Sequence, residues 1–387
     1  MLAIKLAYRN LLGAGLSTWL NIIVLSFSFL IIIWNRGVIN GWDRQARIDT
    51  KNQEVGGGQY WHENYDPYDP FTLEDAHGII PEKFQSIENY TPILISQATA
   101  YPDGRVQSVL LKGIEPDQKI LKIPTESLKS DIEEIPVMLG RRMAENNKLK
   151  IGDFVTVRWR DANGTFDAAD AKVVHIFKTD VPSIDNGQMW VPMQRLQKMM
   201  QMDGEATLVV ASQEITSAPD LAHWIFKDHD ILFKDFEELI EMKNVGGYIM
   251  WFILLLLAWI AIFDTQVLSI FRRQKEIGTD IALGMTRGQV IRLFTVEGAM
   301  HGILAAILAA IYGGPLLWLQ AVKGFAMPEG TDDMGIAIAD TIYPYYSIGL
   351  VVVTASVVLI TTTIVSFLPT RRISKMNPTD AIRGKIQ

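Results

Sequence analysis

Runs of apolar residues long enough to cross a bilayer punctuate this chain, and a polar, turn-rich stretch separates the first run from the rest. From Leu11 to Trp34 there is no charged side chain, and about 20 apolar residues at 1.5 Å rise cover the hydrocarbon layer. A second run, Val245 to Phe271, includes WFILLLLAWIAIF and one charge, Asp264. Gln289 to Leu319 predicts a third span, expected to break or bend at Gly313-Gly314-Pro315, and Tyr345 to Leu368 a fourth. The first run follows Lys5 and Arg9 as a signal peptide would, but its length and the lack of a small-x-small cleavage site favour an uncleaved anchor.

Between the first two runs the periodicity changes. Phe154-Val-Thr-Val-Arg-Trp-Arg alternates in period two, Asn163-Gly164 supplies a tight turn, and Ala171-Lys-Val-Val-His-Ile-Phe resumes, which predicts a hairpin. Helical spacing predicts helices over Pro136–Lys150, Met193–Met202 and Pro219–Lys227. The expected organisation is 1–40 as N-terminus and first span, 41–244 as a mixed α/β domain, and 245–387 as a domain of three further spans. A basic loop at 272–288 and a tail complete the last of these.

Charge orients the arrangement. The N-terminus, the loop after the second run and the C-terminal tail carry Lys5, Arg9, Arg272, Arg273, Lys275, Arg287, Arg292, Arg371, Arg372, Lys375, Arg383 and Lys385 against Glu276, Asp280 and Asp380. The loop between the third and fourth runs has Lys323 against Glu329, Asp332, Asp333 and Asp340. Basic residues accumulate on the cytoplasmic side, so both termini are expected there, with the large domain outside. Trp34, Trp42, Tyr248, Trp251, Tyr343, Tyr345 and Tyr346 mark the outer interface.

Of the net charge of −7, residues 41–244 hold 34 acidic and 22 basic side chains. That acidity argues against nucleic-acid binding, which needs cations on phosphates. With no cysteine, thiolate catalysis, disulfides and thiolate metal sites are excluded. The six histidines form no His-Glu-x-x-His pattern. Gly56-Gly57-Gly58 lacks the Lys-Ser/Thr of a phosphate loop and reads as flexible; Tyr65-Asp-Pro-Tyr-Asp-Pro lacks calcium-ligand spacing and reads as an extended loop. No metal site is expected.

The segment Phe271-Arg-Arg-Gln-Lys-Glu-Ile-Gly-Thr-Asp-Ile-Ala-Leu-Gly-Met-Thr-Arg-Gly-Gln-Val resembles the signature of the FtsX/MacB/LolE superfamily of ABC transporter permeases. So do Ala7-Tyr-Arg-Asn-Leu-Leu, Leu293-Phe-Thr-Val-Glu-Gly, and the ending Leu368-Pro-Thr-Arg-Arg through Asn377-Pro-Thr-Asp-Ala-Ile-Arg. Leu111-Lys-Gly-Ile-Glu-Pro, Leu139-Gly-Arg-Arg-Met-Ala and Ile176-Phe-Lys-Thr-Asp-Val-Pro-Ser-Ile-Asp resemble the lipoprotein-releasing LolC/LolE branch. Two features depart from the family: there is no ATPase ahead of the first span, as MacB has, and Asp264 stands where the family usually has Asn.

The resemblance implies a fold of one plus three transmembrane α-helices with an outer domain of MacB-like porter and small α/β subdomains. It implies an inner-membrane permease that is not itself an enzyme. ATP and Mg would be held by a dimer of separate ABC ATPase subunits, and a second permease would complete the complex, as a homodimer or a related heterodimer. Arg272, Arg273, Lys275, Glu276, Ile277, Gly278, Ala282, Leu283, Gly284 and Met285 would form the ATPase-coupling segment, its apolar members plugging a groove and its basic members steering. Asp264, Glu297 and His301 are ionisable at membrane depth, read as a polar lock near the inner interface in preference to a proton or substrate pathway. Glu297 and His301, four apart, are expected to hydrogen-bond; Gly298 and Gly302 give the small-xxx-small spacing of a close helix contact. Lipoprotein release toward a periplasmic carrier is the leading function. MacB-like export with an adaptor and FtsX-like regulation of a cell-wall hydrolase are alternatives, and a membrane-bound enzyme ranks last because no acid, base or nucleophile set converges.

Overall fold

The computed structural model describes residues 15–84, 88–130, 132–179, 181–213, 221–326 and 341–371. The opening Ala7-Tyr-Arg-Asn motif, the acidic residues of 327–340 and the tail from Arg372 lie outside them. The chain divides into two units: residues 1–43, 240–326 and 341–387 form one, and 44–239 with 327–340 the other.

The first unit is helical. Helix α1 covers Gly15–Thr50; further along the chain, in order, come α6 (Lys234–Arg272), α7 (Gln274–Ala282), α8 (Arg287–Lys323) and α9 (Ile348–Thr370). Four helices among the described residues are long and apolar enough to cross a membrane, within Ile22–Val55, Asn244–Arg272, Arg287–Lys323 and Ile348–Thr370. The expected break in the third does not occur. α8 runs through Pro315 without interruption, as helices packed against neighbours tolerate an internal proline; two residues earlier, Gly313 lets Leu30 of α1 come so close that a Cβ there would lie 2.7 Å from its Cδ1. Thr286 and Gln289 start α8 with a reciprocal capping box, and the Ser347 hydroxyl accepts from Leu350 N at 3.1 Å to start α9.

At one end of this unit the aromatic residues pack against backbone. Tyr345 N donates to Gly37 O at 2.8 Å, and Gly37 leaves no room for a Cβ beside the Tyr346 ring. Arg36 lies over the Tyr248 ring at 4.2 Å and donates to Asn244 Oδ1 at 2.7 Å.

The second unit is built on one nine-stranded sheet ordered β11-β1-β10-β3-β4-β8-β5-β7-β6. Its strands are β1 (Gln59–His62), β3 (Tyr90–Tyr101), β4 (Gln107–Ile114), β5 (Ile135–Gly140), β6 (Phe154–Arg160), β7 (Phe166–Phe177), β8 (Gln188–Pro192), β10 (Leu208–Ala211) and β11 (Trp224–Lys227), while β2 (Gly78–Ile79) and β9 (Glu205–Ala206) pair separately. The first residues of β3 pair with β10 and its last with β6, so six strands from β3 to β6 return on themselves as a ring. One face of that ring holds Leu111, Val137, Leu139, Val157, Val173 and Met189, closed by Leu196 of helix α4 (Met193–Met200). The other face, with Ile93, Ile95, Met138 and Trp190, is covered by Leu121, Ile123, Leu128, Val181 and Ile184.

The hairpin of β6 and β7 and helix α4 form where the sequence places them. Two expectations are corrected. Ile135–Gly140 is a strand, and only Arg141–Asn146 is helical (α2); the strand is buried on both faces, which erases the period-two pattern. Of Pro219–Lys227, the described part carries β11, an edge strand on β1. The Gly56–Gly58 run is ordered rather than loose: Gly57 N donates to Ala211 O at 2.7 Å, and a Cβ there would fall 2.2 Å from the Gln213 carbonyl carbon.

Lys112 sits 8% exposed on β4 with its ammonium 5.2 Å from the Trp190 ring centre, and burial pushes its pKa down. The unfolded chain then binds more protons than the folded one between the depressed value and the ordinary lysine range, so stability rises with pH through that window. Lys112→Met is expected to stabilise this unit by about 1–4 kcal/mol near neutral pH. The gain should shrink as pH approaches the ordinary lysine range, measured by denaturant unfolding across pH; a pH-independent difference would remove the charge argument.

Candidate functional site

The elbow between α6 and α8 gathers most of the residues singled out from sequence. Ile277 of α7 is buried with Ile270, Val290 and Phe294, and Ile281, Met285 and Ile291 pack against them. Burying one such side chain stabilises by about 1.5–3 kcal/mol, so α7 is pinned along one face. Arg273 turns inward as well. One guanidinium nitrogen donates to both Glu297 oxygens, at 2.9 and 3.2 Å, while Nε donates to Glu276 at 2.8 Å. The guanidinium also lies 4.8 Å from the Phe294 ring centre. Glu297 is only 5% exposed, and a carboxylate so buried needs this partner.

The opposite face is exposed. Arg272, Lys275, Glu276, Ala282 and Gly284 are exposed, and Leu283 is 81% exposed. Gly284 takes φ 103°, a left-handed turn without cost for glycine alone. The predicted coupling set thus separates by role. Arg273, Ile277, Gly278 and Met285 hold the elbow to its own chain, and Leu283 projects from its tip.

Further along α8, Gly298 and Gly302 meet α9. A Cβ on Gly298 would lie 2.0 Å from Ser366 Oγ, and one on Gly302 2.8 Å from Thr362 Oγ1. Ser366 donates back to Thr362 O at 2.7 Å and Thr362 to Leu359 O at 3.0 Å, so the hydroxyls are satisfied on their own helix and present a small profile. The contact continues to Thr295 and Thr370, whose hydroxyls are 3.4 Å apart. Gln266 of α6, buried, reaches the same glycine, with Nε2 3.0 Å from a Cβ position on Gly298.

The expected Glu297–His301 side-chain pair is not formed. His301 Nδ1 donates to the Glu297 backbone oxygen at 2.9 Å, because the Glu297 carboxylate is already taken by Arg273. Asp264 is exposed on α6; Gln266, two residues on, is the buried polar side chain there. In the second unit no cluster of three metal-ligating residues exists among the described residues, and the Tyr65–Pro70 loop is ordered by Asp66 and Asp69, whose carboxylates accept from Tyr68 N and Phe71 N at 2.9 and 3.0 Å.

Replacing Glu297 with Ala removes the buried acceptor of Arg273 and is expected to cost about 1–3 kcal/mol, read as a lower unfolding temperature of the detergent-solubilised protein. Because the chain has no cysteine of its own, Thr295→Cys with Thr370→Cys should oxidise to a disulfide, and adding Gly298→Val should suppress that bond by forcing α8 and α9 apart. An equal yield in both backgrounds would refute the close contact.

Residues 248–378 match the FtsX-like permease C-terminal family. The chain is 23% identical to the lipoprotein-releasing system transmembrane protein LolC of Neisseria meningitidis, over 93% of this chain and 92% of that protein. It is 25% identical to LolC of Xylella fastidiosa, over 72% and 74%. A 26% identical stretch relates 34% of the chain to 17% of the pyoverdine export ATP-binding/permease protein PvdT of Pseudomonas aeruginosa. The matched region takes in α6 from Tyr248 onward, the elbow, α8 and α9, so this chain carries an FtsX-like permease domain and is similar to LolC along most of its length.

Proposed function

We propose that this permease couples ATP hydrolysis by a separate ATPase dimer to movement of its outer domain, and that the work done is release of lipoproteins from the inner membrane. The observation that carries the coupling is the elbow: an exposed Leu283 on a tip whose base is fixed by Ile277 and by Arg273 on Glu297. A tip of this kind can seat in an apolar groove of a partner and pass force to α8 without dissipating it in side-chain motion. Alignment with LolC over nearly the whole chain supports the lipoprotein assignment. The stretch shared with PvdT favours export of a small molecule or peptide as the second reading.

The reading includes four spans with both termini cytoplasmic and the second unit periplasmic, arranged as 1–40, 41–244 and 245–387. It includes a second permease, identical or related, since four helices enclose no channel alone. ATP and Mg belong to the ATPase subunits. The porter-like and small α/β parts of the outer domain correspond in this reading to the strand ring and to its β10-β1-β11 extension. Lipoprotein substrate and a periplasmic carrier complete the set of partners.

Leu283→Asp places a carboxylate in the proposed apolar contact and is expected to lower ATP hydrolysis by the membrane complex roughly ten-fold or more, with membrane insertion unchanged. Undiminished hydrolysis would remove Leu283 from the coupling contact. Single cysteines at Asn163 and Lys275 test orientation: a membrane-impermeant maleimide should label Asn163→Cys once the outer membrane is opened, and Lys275→Cys only after the inner membrane is broken. The reverse order would invert the topology and end the proposal.

A further inference from the structure

Beside the Gly313–Leu30 contact, α1 and α8 leave a groove of about 430 Å³, lined by Leu30, Ile31, Trp34, Leu316, Leu317 and Leu319. The polar part of the lining, Gln320 and Lys323 with Gly324, lies at the C-terminal end of α8. The Trp34 ring meets Phe325 edge-on at 6.1 Å beside that end. Lys323 is exposed and makes no ion pair among the described residues.

We propose that this groove is a binding site for an anionic phospholipid, with an acyl chain between α1 and α8 and the headgroup phosphate at Lys323 and Gln320. The lining is ordered as an amphiphile is, with hydrocarbon contacts within and one cation and one amide at one end. The cation selects the phosphate: a lysine near a bilayer surface attracts anionic lipid, and a tryptophan at the same level suits the headgroup boundary. Leu30 lines the groove, and its close approach to Gly313 brings the two helices together beside it. The proposal rests on these helices crossing a membrane and is independent of ATP coupling.

The test uses the full-length protein in nanodiscs containing phosphatidylglycerol or phosphatidylcholine with a photoreactive group on the acyl chain, the adducts being mapped by peptide. Labelling of α1 and α8 around Leu30 and Leu316 should be about five-fold higher from phosphatidylglycerol, the preference equivalent to about 1 kcal/mol per lysine. Lys323→Gln should remove that preference, and Leu316→Trp, by filling the groove, should lower labelling from both lipids. Equal labelling from the two lipids in the native protein, or a preference that survives Lys323→Gln, would overturn the site. An intermolecular disulfide from Leu316→Cys under mild oxidation would show a second copy of the chain seated there and would also overturn it. Labelling spread over α6 and α9 but not concentrated in the groove defeats the site alone, whereas no labelling of any helix defeats the membrane-spanning reading beneath it.

Discussion

Between helices in hydrocarbon there is no water to expel, so association depends on how closely backbones can approach. The contact of Gly298 and Gly302 with Ser366 and Thr362 meets this requirement, and much else in the helical unit follows from it. α8 is brought against α9 closely enough that Glu297, one residue before the first glycine, is buried. A buried carboxylate demands a cation, and Arg273 supplies it from the end of α6. The small-residue contact and the ion pair are thus successive consequences of one packing constraint.

The elbow inherits its geometry from the same source. With Arg273 directed inward and Ile277, Gly278 and Ile281 packed against the chain, α7 has one face committed, and Lys275, Glu276 and Ala282 are exposed. In the proposed coupling this division is what makes Leu283 useful, since a contact residue must be exposed while its support is not. Sequence spacing placed both kinds of residue in one set because apolar and basic side chains alternate too closely over nine residues to reveal which of them turn inward.

What the sequence disclosed, and what it hid, has physical reasons. The long apolar helices were legible because hydrocarbon thickness asks for a length that soluble helices seldom reach without charge. The β6–β7 hairpin was legible because one face is wet. Strand β5 was not: both its faces are buried, so Pro136–Leu139 carries no alternation. Closure of the sheet through β3 and β6 links residues nearly 60 apart and leaves no local trace. The Glu297–Arg273 pair was hidden by the more obvious four-residue spacing to His301, and Gln266 by the greater conspicuousness of Asp264. Thr362, Ser366 and Thr370, spaced by four along α9, were a readable partner stripe for the two glycines.

Gly284 makes the turn after α7 abrupt, and the capping box at Thr286 begins α8 two residues later. The link between the short helix and the long one therefore has almost no slack. In the proposed coupling a longer or looser connection would act as a spring in series, absorbing displacement at the tip as local bending, whereas this one would pass it on as rotation or translation of the whole of α8. Stiffness here is set by backbone chemistry at two positions rather than by the size of any buried surface, so the mechanical response of the elbow can vary among related chains while their cores stay the same.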